Sequence, residues 1–228
     1  MDDASLLAAL QLTDSFFPSG MVTLSHGLET FVSLRPQSHK AILPLLEDYL
    51  HNKVATCDLV AYVHAYHAAQ QSDDDQLLIV DQLLTASVLP HELREGSVRS
   101  GRALLDTLVP LVDQAIFQQF MQAVREGRTG GNAAVSFAIV SALWDIPLRV
   151  GGIIQLYTFA VSFLGAAMRL GCLGHREAQR ILFMLRPQLP ALVDDACGRD
   201  LGEMGSFAPL ADIHAMQHAY LPVRLFAS

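Results

Sequence analysis

Few side chains in this sequence are of types that do chemistry, and their spacing limits what they can do. Nine histidines occur in the 228 residues, two pairs of them at helical spacing: His64 with His67 at i,i+3 and His214 with His218 at i,i+4. Each pair would share one helix face, with Asp58 two turns ahead of the first and Asp212 beside the second. That is the minimum for a weak, transient contact with a divalent metal. Neither pair stands in a His-Glu-x-x-His frame, and nine histidines give such spacings by chance. The four therefore remain weak ligand candidates, with ordinary surface or half-buried histidines as the plainer reading, and no metal site is assigned. Ser25-His26 sets a hydroxyl beside a base, but a nucleophile elbow needs glycine two residues before the serine, and Thr23 stands there. Neighbours in sequence seldom make a catalytic pair in any case, since geometry defines a triad. There is no Walker A loop and no GxGxxG opening a helix. The cysteines, Cys57, Cys172 and Cys197, contain no CxxC pair and make no disulfide framework. No catalytic residue is assigned, and the chain reads as a non-enzyme.

The elements that must position these groups are helical. Ala41/Ile42, Leu45/Leu46, Tyr49/Leu50 and Val54 recur every four residues and draw one apolar stripe. Ser72 with Asp75 three residues on resembles a capping box ahead of Leu77, Leu78, Val80, Leu83 and Leu84. Val112, Ile116, Phe117, Phe120, Met121 and Val124 repeat the stripe, and residues 128–131 break it. Residues 133–144 are apolar on nearly every side and predict a buried helix. A long helix is expected over 148–170, with Gly171 and Gly174 at its end. Ile181, Leu182 and Leu185 form a last stripe, cut by Pro187 and Pro190. No Asn-Gly or Asp-Gly hairpin signal appears. The expected class is all-α, one domain over 1–228 with nine or ten helices. Residues 12–26 and 199–212 have no clean period and read as irregular contact segments.

Composition narrows the function. Fifteen basic against 23 acidic side chains leave a net charge of −8, and charged residues make up only 17% of a chain that is 51% apolar. Average domains carry about 25% charged residues, so much of this surface must be buried internally or against partners. Lys40 and Lys53 are the only lysines, too few clustered cations for nucleic acid. The acidic start, Met1-Asp2-Asp3, lacks the cationic region of a signal peptide and points to the cytoplasm. Residues 150–168 are uncharged; as a helix they would span about 28 Å, close to a bilayer core. Gly151, Gly152, Gln155, Tyr157, Thr158, Ser162 and Gly165 dilute that run. A buried hairpin with residues 133–144 is expected instead, and no membrane association.

Arg94, Glu95, Arg99 and Arg102 share a helix with Gly96, Ser97 and Gly101. Glycine inside a helix costs roughly 0.5–1 kcal/mol relative to alanine. Something must offset that, and Gly96, Ser97 and Gly101 are candidates for close internal packing or a subunit interface.

Four blocks together resemble one family. Leu12-x-Asp14-Ser15-Phe16-Phe17-Pro18-Ser19-Gly20, continuing to Ser25-His26-Gly27-Leu28-Glu29, is similar to the opening signature of the urease accessory protein UreF family. Residues 94–105 resemble its second block, Ala167-Met168-Arg169-Leu170-Gly171-x-Leu173-Gly174 its long-helix ending, and Ser206-Phe207-Ala208-Pro209-Leu210 through Asp212, Met216 and His218 to Arg224-Leu225-Phe226-x-Ser228 its tail. The blocks are in order over essentially the whole chain. The resemblance implies a dimeric all-helical scaffold that binds the accessory protein of the D or H type. It also implies recruitment of the G-type GTPase and service to urease apoprotein during nickel delivery. Nickel and GTP then belong to partners, with no cofactor held stably here. Partner contacts are expected at Phe16, Phe17, Pro18, Ser25, His26, Glu29, Arg94, Arg224, Leu225, Phe226 and Ser228. The chain departs from the family pattern at Val22, Leu24, Asn132 and Ala138, and in the tail at Ala219, Pro222-Val223 and Ala227. Loss of tail charges changes association rate and specificity more than raw affinity. A direct helical nickel carrier using surface histidine pairs is the second expectation.

Overall fold

The computed structural model describes residues 1–14, 17–18, 23–34 and 41–227, and among them the chain forms α-helices and no strand. In order these are α1 (Asp3–Thr13), α2 (Leu28–Leu34), α3 (Ile42–Tyr49), a π-helical stretch (Leu50–Asp58), α4 (Leu59–Gln71), α5 (Asp74–Ser87), α6 (His91–Leu108) and α7 (Ala115–Arg125). Then follow α8 (Ala133–Leu143), α9 (Leu148–Arg169), α10 (His175–Leu185), α11 (Leu189–Cys197), a 3₁₀ turn (Leu201–Glu203) and α12 (Pro209–His218). Because α3, the π-helical stretch and α4 run on as one rod, the described residues hold eleven α-helical rods. The excess over nine or ten comes from elements such as α2, whose seven residues are too short to show a period.

The core is organised on α4, where Leu59, Val60, Ala61, Tyr62, Val63, Ala65, Tyr66, Ala68 and Ala69 are all buried. A helix without a polar stripe belongs inside the protein, and α4 is surrounded by α5, α8, α9 and α11. Its two tyrosines bury their rings and satisfy their hydroxyls: Tyr62 donates to Leu148 O at 3.2 Å and Tyr66 to Ile146 O at 3.0 Å. Close approach depends on glycine, since a Cβ on Gly151 would stand 2.0 Å from Tyr62 Oη. As expected, α8 is buried, but it packs chiefly on α4 and α6 rather than pairing with α9 as a closed hairpin. The α9 helix is long and apolar enough to cross a membrane by composition, and half of its apolar window is buried inside the protein. Its buried face lies against α4, α10 and α11.

The two turns flanking α5 correct the sequence reading. Ser72, expected as a cap, instead ends α4 in the left-handed region (φ 54°, ψ 40°), a backbone that cannot present the cap side chain. Asp73 takes the role, accepting from Gln76 N at 3.0 Å. The break at residues 128–131 is not loose. Asp81, fully buried on α5, accepts from Thr129 Oγ1 (2.5 Å), Gly131 N (2.8 Å) and Asn132 N (2.7 Å), and also from Asn132 Nδ2 at 3.0 Å. One carboxylate thus fixes the entry to α8 and meets donors that its N-terminus leaves unpaired.

Candidate functional site: a carboxylate clasp on the C-terminal tail

The turn into α2 begins with two residues of positive φ, His26 (54°) and Gly27 (78°). Gly27 is required there twice over. Its backbone suits glycine, and a Cβ would stand 2.7 Å from Ala215 N of α12. That close approach sets α12 against α2 and α6, so that Glu29 in the first turn of α2 faces His218 in the last turn of α12.

His218 is completely buried, with Nε2 2.9 Å from Glu29 Oε2 and Nδ1 2.7 Å from Glu92 Oε2. Each ring nitrogen thus faces a carboxylate oxygen, and the ring bridges the two acids. Glu92 also accepts from Arg224 Nη1 at 2.8 Å. Each acid is therefore hydrogen-bonded at the imidazole, and Glu92 also at a guanidinium, which is how a buried polar group avoids a large penalty. Glu29 uses its remaining capacity on the tail backbone: Leu225 N donates to Oε1 at 2.8 Å and Phe226 N to Oε2 at 3.2 Å. The buried Phe226 ring lies under the Arg169 guanidinium, 4.4 Å from its centroid, and Ala227 N donates to Thr23 O at 2.9 Å. The tail is thus pinned by its backbone while Tyr220, Val223 and Leu225 stay 87%, 76% and 72% exposed. On α12, Leu210, Ile213 and Met216 recur every third residue and are also exposed.

Among the residues expected at partner contacts, the clasp brings together Glu29, Arg224, Leu225 and Phe226. The others lie elsewhere. Arg94 donates to Val88 O at 2.7 Å and Leu89 O at 3.2 Å, closing the end of α5. Ser25 is fully buried, Phe17 is half-buried against the core and Pro18 is exposed. Tyr49 Oη donates to His26 O, and the His26 ring packs 4.7 Å from that of Phe159. Phe16 and Ser228 lie outside the described residues. Gly96 and Gly101 sit at internal contacts: a Cβ on Gly101 would come within 2.1 Å of Gly131 O, and one on Gly96 within 3.0 Å of Leu24 Cδ2. Ser97 Oγ accepts from Ala133 N at 3.3 Å. The ion pair formed by Glu95 is with His91 at 3.4 Å.

The histidine pairs are arranged differently from a surface metal face. His214 and His218 are buried, and both ring nitrogens of His218 are occupied by carboxylates. His64 Nε2 lies 3.0 Å from Arg199 O, and His67 is exposed with its ring edge on Tyr66. Among the described residues no group of three or more His, Cys, Asp or Glu is placed to hold a metal ion. Glu92 and Arg169 were missed as site residues, since their partners lie far away in sequence.

An all-helical body that pins its own tail, with apolar side chains turned outward, has the build of a protein-binding accessory factor. The family model described as UreF matches residues 38–186. A urease accessory protein UreF of Trichodesmium erythraeum (strain IMS101) is 36% identical over 233 residues, covering 100% of this chain and 98% of that protein. The same-named protein of Yersinia pseudotuberculosis serotype IB (strain PB1/+) is 28% identical over 228 residues and the full length of both. The chain belongs to the UreF family of urease accessory proteins.

Proposed function

We propose that this chain is a non-enzymatic scaffold in nickel-dependent maturation of urease. It bridges the D/H-type accessory protein and the G-type GTPase and regulates GTP-coupled nickel delivery to urease apoprotein. Full-length similarity to urease accessory proteins of this family carries the reading. The pinned tail supports it: a short segment held by its backbone loses little further entropy when a partner covers its exposed side chains. In this reading the chain works in the cytoplasm as a homodimer, and nickel and GTP stay with the partners. Tyr220, Val223 and Leu225 with the Leu210–Ile213–Met216 face of α12 form the surface offered to the D/H-type partner. The departures at Pro222 and Val223 then tune specificity for a co-adapted partner.

Co-expression of this chain with the D/H-type and G-type proteins of its own urease system, followed by size-exclusion chromatography, tests the reading. A complex containing all three, with urease activity that depends on this chain, is the expected result. Separate elution and full urease activity without the chain would refute it. The nickel-carrier alternative finds no favourable geometry at His214 and His218, which are buried.

A further inference from the structure

Three irregularities of the fold meet at one place. A cavity of about 150 Å³ lies between the π-helical stretch, residues 24–26, α6, α8 and α9. The π-helical stretch turns Lys53, Val54 and Asp58 toward it, and wide-turn helices recur at functional sites. His26, which also lines the cavity, has a left-handed backbone (φ 54°) held by the Tyr49 hydroxyl on its carbonyl. Such backbone strain persists where the surroundings enforce it, often at ligand sites.

The third irregularity is unmet hydrogen bonding. Among the described residues, His26 Nε2 and Gln155 Oε1 are buried without a partner, and both residues line this cavity. Buried polar atoms are normally paired, so two orphans at one cavity need an explanation. Lys53 does not supply it, because its ammonium is taken by Asp212 at 2.6 Å and Ser206 Oγ at 3.3 Å. Burial pushes the Asp58 carboxyl up to about 6, against the opposing pull of Lys53, and draws His26 down to about 4, with Lys53 adding to the shift. At neutral pH the cavity therefore holds an ill-solvated carboxylate, a neutral imidazole and an amide oxygen, all able to accept. The rest of the wall is mainly apolar, with Leu24, Val54, Leu93, Phe137, Ile154 and Phe159, interrupted by the hydroxyls of Ser97, Ser100 and Thr158.

We propose that this cavity binds a small alkylammonium ion. Its ammonium group donates to Gln155 Oε1, Asp58 and His26 Nε2, and its short stem lies among the apolar side chains. A dry apolar cavity of comparable volume takes up a benzene-sized molecule, so the space suits a four-carbon stem. A carboxylate beside two orphaned acceptors favours a head with three N–H donors and a positive charge over a neutral hydroxyl.

The test is a titration of the full-length, ¹⁵N-labelled protein with n-butylammonium chloride, read by amide chemical shifts, with n-butanol and sodium chloride as controls. Saturable shifts at Leu24, Val54 and Phe159 are expected, with n-butylammonium binding at least about tenfold more tightly than n-butanol. Asp58→Asn and Gln155→Leu should each weaken it by about tenfold. Gln155→Leu removes an orphaned acceptor and Asp58→Asn removes an ill-solvated carboxylate, so both variants should fold. Equal binding of n-butanol would reduce the site to an apolar void. Unchanged affinity in the folded variants would place the ligand elsewhere, and the absence of saturable shifts would overturn the proposal outright.

Discussion

Asp81 and Glu29 perform one elementary task in two parts of the molecule. Each is a buried carboxylate that collects backbone N–H groups from a distant segment: Gly131 and Asn132 for Asp81, Leu225 and Phe226 for Glu29. The segment held by Asp81 leads into α8, whose side chains are buried, so its gain is closure of the core. The segment held by Glu29 keeps Tyr220, Val223 and Leu225 in water. The same chemistry thus closes the interior in one place and presents a surface in the other. Charge balance differs as well. Asp81 is met by neutral donors, whereas Glu29 and Glu92 are met by His218 and Arg224.

The comparison breaks most sharply at Asp81. Asp81→Ala strands Thr129 Oγ1 and two backbone N–H groups inside the protein, and should destabilise it by about 3–5 kcal/mol, measured as a lower urea midpoint. Glu29→Ala should act locally. Loss of about 1–3 kcal/mol is expected, and hydrogen exchange should show the Leu225 and Phe226 amides losing protection while those of α4 keep it. If both substitutions melt the body equally, the tail is a part of the core and the contrast fails.

Asp58 sharpens the comparison as a half-buried, cavity-lining carboxylate that, among the described residues, collects no backbone N–H from a distant segment. Its folded pKa, raised to about 6 from 3.8, means that the folded state binds its proton more tightly, so stability falls as pH rises from about 4 to about 6. His26, lowered to about 4 from 6.5, has the opposite sign: the unfolded state binds more protons in that window, and stability rises with pH. The two slopes oppose each other in the native chain. Asp58→Asn should therefore raise stability near pH 7 by on the order of 2 kcal/mol, and leave a stability that climbs with pH between about 4 and 6.5. Urea midpoints across that range read both effects. Smallest is Arg224→Ala: its side chain is 45% exposed, so about 0–1 kcal/mol is expected, seen as a melting shift near the limit of measurement.

The helical class was legible because apolar periods such as Ile116, Phe117, Phe120, Met121 and Val124 translate directly into buried faces. The break at 128–131 was visible through its glycines, but the carboxylate that ties it lies some fifty residues earlier, and nothing local marks Asp81 among the acids of α5. Ser72 drew the cap reading, whereas backbone conformation gives the cap to Asp73, which the sequence pattern did not single out. At the site, Glu29 and the tail were legible through family resemblance. The pairing of His218 with Glu29 and Glu92 was not, because it joins residues 189 and 126 positions apart. Helical spacing made His218 look like half of a metal pair with His214, whereas burial gives its ring to two carboxylates.

The claim that the pinned tail is a partner surface is tested most directly at Leu225, whose amide is held by Glu29 and whose side chain is exposed. Leu225→Asp should leave the melting temperature of the isolated protein essentially unchanged, since exposed substitutions usually cost within about 0.5 kcal/mol. Co-elution with the D/H-type accessory protein on size-exclusion chromatography should be lost. A folded Leu225→Asp protein that still forms the complex at full strength would contradict the claim.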